Sequence, residues 1–374
     1  MKAIRRFFRH FLQNVSLKKM DGVFVAFDSD DWGATRVPDK ETRDFLQSNG
    51  FEMSNDFFTM YDGIENDNDL ELLVSTLAKY GDSFGRHPNF TLNICANNPD
   101  YRFIYENLFN KYRSSTFIET YGSSIYEDSA HCLEIIKHGK EAGVFSIQLH
   151  GSEHANVLRW MSDLKKNPKL AISCNNGLTS CGTDYRKDNR FAYMDELNYY
   201  SKEELKQCIE RIVSAKAVLE KEFQIDISCL TPSCGVIPFN YKKLMKDADI
   251  LYSKGSFKQF AASKKKEKLR TIYIFKKKYK DVNMLVRNCT FEPTTNKRAL
   301  FDCLEDVDYA IKHGKPCIIS THRINYTSRV DKNNRDKCIL LLSQLIEKIK
   351  EKYPSVQFVS TDYLASKMFL KERR

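Results

Sequence analysis

The sequence predicts an α/β fold built on a parallel sheet that closes toward a barrel. Three observations carry this expectation. Short β-type runs alternate with longer helical ones from about residue 21 to the C-terminal region, seven such runs recur, and groups with chemical potential fall at the ends of several of them. At 374 residues, 42% hydrophobic and 12% aromatic, the chain can bury a sizeable core as one large domain or two ordinary ones.

The first element is MKAIRRFFRHFLQNVSLKK, in which Ile4, Phe7, Phe8, Phe11, Leu12 and Val15 recur at helical spacing among Arg5, Arg6 and Arg9. A basic amphipathic helix of this kind lies on an anionic membrane surface or docks on its own domain. Arg9 and His10 interrupt the apolar stretch a signal peptide would need, and no segment is long enough to span a bilayer. A cytoplasmic protein with peripheral membrane contact through residues 1–19 is therefore expected, residues 1–20 forming a separate segment ahead of a domain over 21–374.

The strand candidates are GVFVAF (22–27), NFTLNIC (89–95), STFIET (115–120), VFSIQL (144–149), DISCL (226–230), PCIIST (316–321) and VQFVS (356–360). Helical patterns cover 67–80, 101–112, 126–138, 201–222, 299–313 and 332–352. EIIKHGKEAGVFSIQLH and AIKHGKPCIISTH share one construction: a helix ends with His138 or His313 before a glycine cap, and the next strand carries His150 or His322 to its end. Two stretches read as insertions. Residues 155–200, with NNGLTSCG in the middle, predict a lid or wall, and 263–287 predicts a hairpin of TIYIF and VNMLVRN around KKKYKD, its lysines a solvated edge or a contact for an anionic substrate.

A formal charge of +10, from 59 basic and 49 acidic residues, suits an anionic partner such as phosphate, membrane or acidic glycan and is too small to indicate nucleic acid. The eleven cysteines form no CxxC pair and read as buried free thiols in a reducing compartment.

Four motifs carry the chemistry. FDSDDWG puts Asp28, Asp30 and Asp31 at the mouth of an apolar strand, where an unpaired buried charge is costly. FSIQLHGSEH places His154 four residues after His150, a spacing that in a helical turn converges both imidazoles on one metal ion. LTPSCG and ISTH, the latter ending at His322, close two further strands. In a parallel barrel all these ends open on one face, so a carboxylate and two histidines can hold a divalent ion with open positions.

In that order the motifs resemble the polysaccharide deacetylase superfamily, the NodB-homology domains of carbohydrate esterase family 4. The resemblance spans residues 22–322 and implies a distorted (β/α)7 barrel. It implies His150 and His154 as metal ligands together with an aspartate of the first motif. FDSD fits the family's F-D-x-D form, so Asp30 is expected as ligand and Asp28 as general base, with Asp31 the alternative for either; alternation on an extended strand points positions 28 and 30 to the same side. His322 matches the family's late histidine, the general acid. Zinc is the expected ion, with cobalt, nickel, manganese or iron as alternatives.

Thr231 stands where the family has the arginine that orients the base, and Cys234 where it has a tyrosine whose backbone N–H faces the oxyanion. Arg36 or Arg287 is the candidate replacement guanidinium. Trp32, Asn288, Glu292 and Arg323 are further candidate substrate contacts, each with a structural role as its alternative. The implied activity is metal-dependent removal of acetyl groups, N-linked first, from a sugar, glycan or glycan precursor. The alternative is a catalytically degenerate deacetylase fold acting as a glycan-binding or scaffold module. Glycoside cleavage would need two carboxylates without a metal, which the HGSEH pair opposes.

Overall fold

The structure is a computed structural model that describes residues 2–53, 56–181, 191–263 and 268–369. Its centre is a parallel sheet of β1 (Val23–Trp32), β2 (Phe90–Cys95), β3 (Phe145–Gly151), β4 (Cys229–Leu230), β5 (Tyr252–Gly255), β6 (Val282–Val286), β7 (Cys289–Thr290), β8 (Cys317–His322) and β9 (Val356–Phe358). The path runs β6-β5-β4-β3-β2-β1-β8-β7, with β9 beside the first half of β1 and a short antiparallel strand, Lys278–Tyr279, on β6. The two ends of this path, β6 and β7, are consecutive in the chain and separated only by Arg287 and Asn288. A link this short reaches about 10 Å at full extension, so the sheet must curl until its ends nearly meet. The result is a distorted (β/α) barrel with a seam between β6 and β7.

Helices cover the outside. They include α1 (Lys2–Asn14), α2 (Asp67–Ala78), α3 (Cys132–Glu141), α4 (Lys202–Phe223), α5 (Ala299–Lys312) and α6 (Lys332–Lys352). In α4, Leu205, Cys208, Ile209, Ile212, Ala215, Leu219 and Phe223 are buried at helical spacing, and Ser201 with Glu204 forms a capping box at its start. One hydrophobic cluster runs through the barrel from Leu17 to Met368. All eleven cysteines are free thiols, and only Cys234 is not fully buried.

Several local expectations change. STFIET is not a strand of the barrel: Ser114–Thr116 pairs with Asn97–Pro99 in a separate ribbon, and Thr116 caps a helix over Phe117–Tyr121. Gly314 lies past the end of α5 at φ +67°, as a cap should, but Gly139 lies inside α3. A Cβ on Gly139 would come within 2.3 Å of the Phe145 ring, so this glycine lets α3 approach β3. TIYIF and VNMLVRN do not pair with each other. Lys268–Tyr273 pairs antiparallel with Lys258–Ser263, while β6 joins the barrel parallel to β5. The barrel claims β6 because Met284, Leu285 and Val286 are all buried there, a continuous apolar run that a solvated hairpin could not use. Residues 264–267 of the 263–287 insertion and 182–190 of the longer one lie outside the described residues.

Candidate active site

The aspartates sit in the C-terminal half of β1, between β8 and β2. Its pairing with β2 shifts register between Ser29 and Trp32, and Asp31 adopts φ +77°, a left-handed conformation uncommon for aspartate. This bulge decides the three carboxylates. Asp28 and Asp30 keep the strand alternation and point to the same side, where Asn93 Nδ2 donates to both at 3.1 and 2.8 Å. Asp31 is turned away from them toward β3.

There, His150 Nε2 and His154 Nε2 each lie 3.1 Å from the same atom, Asp31 Oδ1. All three side chains are buried, and their donor atoms lie within 4.8 Å of one another. The two imidazoles meet without a helix. His150 ends β3, Gly151 takes φ +122°, and His154 takes φ +53° in an irregular turn. Two of the three residues therefore hold strained backbone, which a structure retains only where surrounding contacts over-determine it.

His150 Nδ1 faces the Thr231 carbonyl oxygen at 2.9 Å. A carbonyl only accepts, so Nδ1 carries a proton; Nε2 donates to Asp31, and giving up that proton frees its lone pair for an ion. Three potential ligand atoms thus converge on one small buried space, an arrangement suited to a cation. The donor set fits a divalent ion of the zinc type with three protein ligands. The expected ligand was Asp30; the carboxylate that the structure groups with the imidazoles is Asp31.

Asp30 Oδ2 instead accepts from Arg287 Nη1 at 2.6 Å, and His322 Nε2 lies 3.7 Å from the same oxygen. Burial alone would raise the Asp30 carboxyl, but the charges of Arg287, His150 and His322 outweigh it and hold the group below the usual carboxylate range. Asp28, expected as the base, is wholly buried behind Asp30. Lys254 Nζ donates to it at 2.6 Å and to Asn93 Oδ1 at 2.9 Å, and Arg287 lies 3.3 Å away. The Asp28 carboxylate thus neutralises a buried lysine, and Asp30 is the one placed between an arginine and His322. Arg287, one of the two guanidiniums expected to replace the missing family arginine, is the one on the base pair of aspartates. Arg36 lies elsewhere, near Asp31 and Asp62 at 3.9 and 3.6 Å.

His322 Nδ1 lies 2.6 Å from Glu292 Oε1, whose other oxygen accepts from Asn325 at 2.8 Å. The imidazole side chain is 30% exposed, and Phe58 packs edge-on against it. Burial pulls its pKa down, yet Glu292, followed by Asp31 and Asp30, pushes it up to about 10. Glu292, expected as a sugar contact, is the group that orients His322.

The other expected substrate residues are placed differently. Arg323 is wholly buried in ion pairs with Asp62 and Glu65, so it ties the end of β8 to the loop ahead of α2 rather than facing a ligand. Trp32 is buried and donates to Ser29 Oγ, closing the barrel. Asn288 lies in the seam, donating to Asn14 Oδ1 and Pro316 O and accepting from the Ile318 N–H. Thr231 acts through its backbone carbonyl on His150. Cys234 sits at φ +54° with its thiol on the Met194 carbonyl oxygen, and burial pushes that thiol above its ordinary pKa, so it is a packed thiol and no nucleophile.

Three contributors were not singled out from the sequence. Lys254 and Asn93 had no motif to mark them. Glu196, from the long insertion, accepts from the Ser152 N–H at 2.8 Å and is pushed up to about 7 by burial and by the charge of Glu153. A Cβ on Gly151 would fall 2.0 Å from Glu196 Oε2, so the HG of HGSEH is the signal that a carboxylate backs this turn.

Fold and site together define a distorted (β/α) barrel whose strand ends carry an Asp-His-His group beside an aspartate-arginine pair and a carboxylate-held histidine. No family model and no curated protein matches the chain. Among solved structures it is similar to a protein assigned as a polysaccharide deacetylase from Mycobacterium smegmatis, at 11% identity and TM-score 0.43, covering 94% of this chain and 95% of that one. It is similar also to a 4-alpha-glucanotransferase from Thermococcus litoralis, at 9% identity and TM-score 0.44, covering 94% and 41%. A CE4-family pseudoenzyme from Bacillus anthracis follows at 11% identity and TM-score 0.37, covering 92% and 66%.

Proposed function

We propose that the chain is a divergent polysaccharide deacetylase and a metal-dependent hydrolase that removes acetyl groups, N-linked first, from a cytoplasmic sugar or glycan precursor. The carrying observation is the convergence of His150 Nε2 and His154 Nε2 on one Asp31 oxygen, both at 3.1 Å and all buried. Asp31, His150 and His154 would hold the ion, zinc by donor type. When bound, such an ion polarises an acyl carbonyl and supplies a nucleophilic water at neutral pH.

The remaining steps belong to the chain. Asp30, kept ionised by Arg287, takes the proton of the attacking water. His322, kept protonated by Glu292, gives a proton to the departing amine. Lys254 and Asp28 hold Arg287 and Asn93 in place beneath Asp30. The backbone N–H of Cys234, in a left-handed turn, is the candidate for stabilising the oxyanion, since the Gly235 N–H donates to the Pro232 carbonyl. Residues 21–374 form the catalytic barrel in this reading, with the 155–200 insertion walling the site through Met194 and Glu196.

The test is acetate release by the metal-loaded protein from a panel of N- and O-acetylated sugars, with His322→Ala alongside. The reading expects release by the wild type and loss by the variant with its ion retained. A glycan-binding module without turnover is the second reading, favoured by Thr231 in place of the family's arginine. It moves ahead if no acetylated sugar is hydrolysed but one is bound.

A further inference from the structure

The packing of α1 is inverted relative to an ordinary surface helix. Its polar side chains face the domain: Arg9 and His10 both bond Asp306 of α5, at 2.9 and 3.0 Å, and Asn14 accepts from Asn288 at the barrel seam. Arg6 pairs with Glu305, and His10, Gln13 and Asn14 are buried. The opposite face carries Phe8 and Phe11, 57% and 47% exposed, and Val15 follows just past the helix end at 38%. Spaced three and four residues apart, these side chains share one stripe, and large apolar groups gathered on solvent are the informative exception to ordinary burial.

We propose that this stripe is a docking surface for an anionic lipid bilayer. The helix is at once docked on its domain by its polar face and offered to a membrane by its apolar one. The charge of the segment selects the occupant. Residues 1–19 hold six basic and no acidic side chains, and Lys18 and Lys19 are exposed just beyond the helix. Arg6 and Arg9 are matched by Glu305 and Asp306, and two copies meeting through this face would still set the remaining positive charge of one segment against that of the other. An anionic headgroup layer accepts the same charges favourably while the rings enter the acyl boundary. No helix among the described residues is long and apolar enough to cross a membrane, so the attachment is peripheral and salt-sensitive. None of the contacts that seat α1 involves Asp30, Asp31, His150, His154 or His322, so docking and the candidate chemistry are separable.

The experiment is co-sedimentation of the full chain with vesicles of phosphatidylcholine alone or mixed with phosphatidylserine. Binding is expected only to the mixed vesicles, weakening as salt rises. Phe8→Asp with Phe11→Asp should reduce that binding roughly tenfold or more, the order expected for withdrawing two rings from an apolar phase. Its thermal transition is measured alongside to establish that the variant is folded. If that double variant fails to fold, Phe11→Trp gives the second readout: its emission should move to the blue on adding mixed vesicles, against the constant background of buried Trp32 and Trp160. Absent vesicle binding, binding unchanged in the folded double variant, or a dimer in ultracentrifugation that the double substitution abolishes would each overturn the proposal, the last by assigning the face to a second copy.

Discussion

Glu292→Gln is the most discriminating perturbation, because it removes a charge from His322 while keeping the shape of its partner. In the wild type the imidazole pKa is pushed up to about 10 from an ordinary 6.5, with burial opposing and Glu292 the leading favourable cause. A charge-assisted hydrogen bond is worth about 1.5–3 kcal/mol, and one pH unit corresponds to about 1.4 kcal/mol, so the substitution should lower the His322 midpoint by at least about 1–2 pH units. The sign for stability follows. The folded midpoint lies above the unfolded one, so the pair's contribution is complete below about pH 6.5 and is lost as pH rises toward the folded value. The assay is a proton NMR titration of the His322 Cε1–H resonance, assigned by its loss in His322→Ala. The basic limb of any acetate release should move down with it. A wild-type midpoint near 6.5, or a midpoint unmoved in Glu292→Gln, would refute the assignment of Glu292 as the group that keeps His322 protonated.

Asp31→Asn should weaken divalent-metal binding at least tenfold, whereas Asp30→Asn should leave metal content near stoichiometric and abolish turnover; metal analysis after dialysis reads both, and loss of metal in Asp30→Asn alone would reverse the two roles. Lys254→Met strands the buried Asp28 carboxylate and should cost about 3–5 kcal/mol in urea unfolding, most of it regained when Asp28→Asn is added. Gly151→Ala combines φ +122° with a 2.0 Å approach to Glu196, so it should lower stability by more than about 1 kcal/mol and weaken metal binding with it; an unchanged melting temperature and metal content would show the turn to be slack.

Much of the site was legible because it rests on local order. Strands ending in His150 and His322, and an aspartate cluster ending β1, needed only alternating patterns and the rule that parallel strands open on one face. The shared orientation of Asp28 and Asp30 followed from strand alternation and is present, with Asn93 donating to both. That same argument favoured Asp30 as the ligand, whereas the structure groups Asp31 with the two imidazoles, because alternation fails wherever a strand bulges. HGSEH was read as a helical turn, while Gly151 and His154 reach the same convergence through left-handed backbone.

The sequence by itself determined the inventory and its order: three aspartates, two histidines and a later one, set at strand ends on a barrel scaffold. Tertiary structure decided how those groups divide the work. The register shift of β1 against β2 turned Asp31 to the imidazoles, and a guanidinium 257 residues away claimed Asp30. Arg323 and Asn288, polar and adjacent to motifs, were taken by Asp62, Glu65 and the barrel seam. The physical reason is common to all of these. A carboxylate's role depends on which cation shares its low-dielectric surroundings, and that neighbour is fixed by curling the sheet until distant strands meet, not by spacing along the chain.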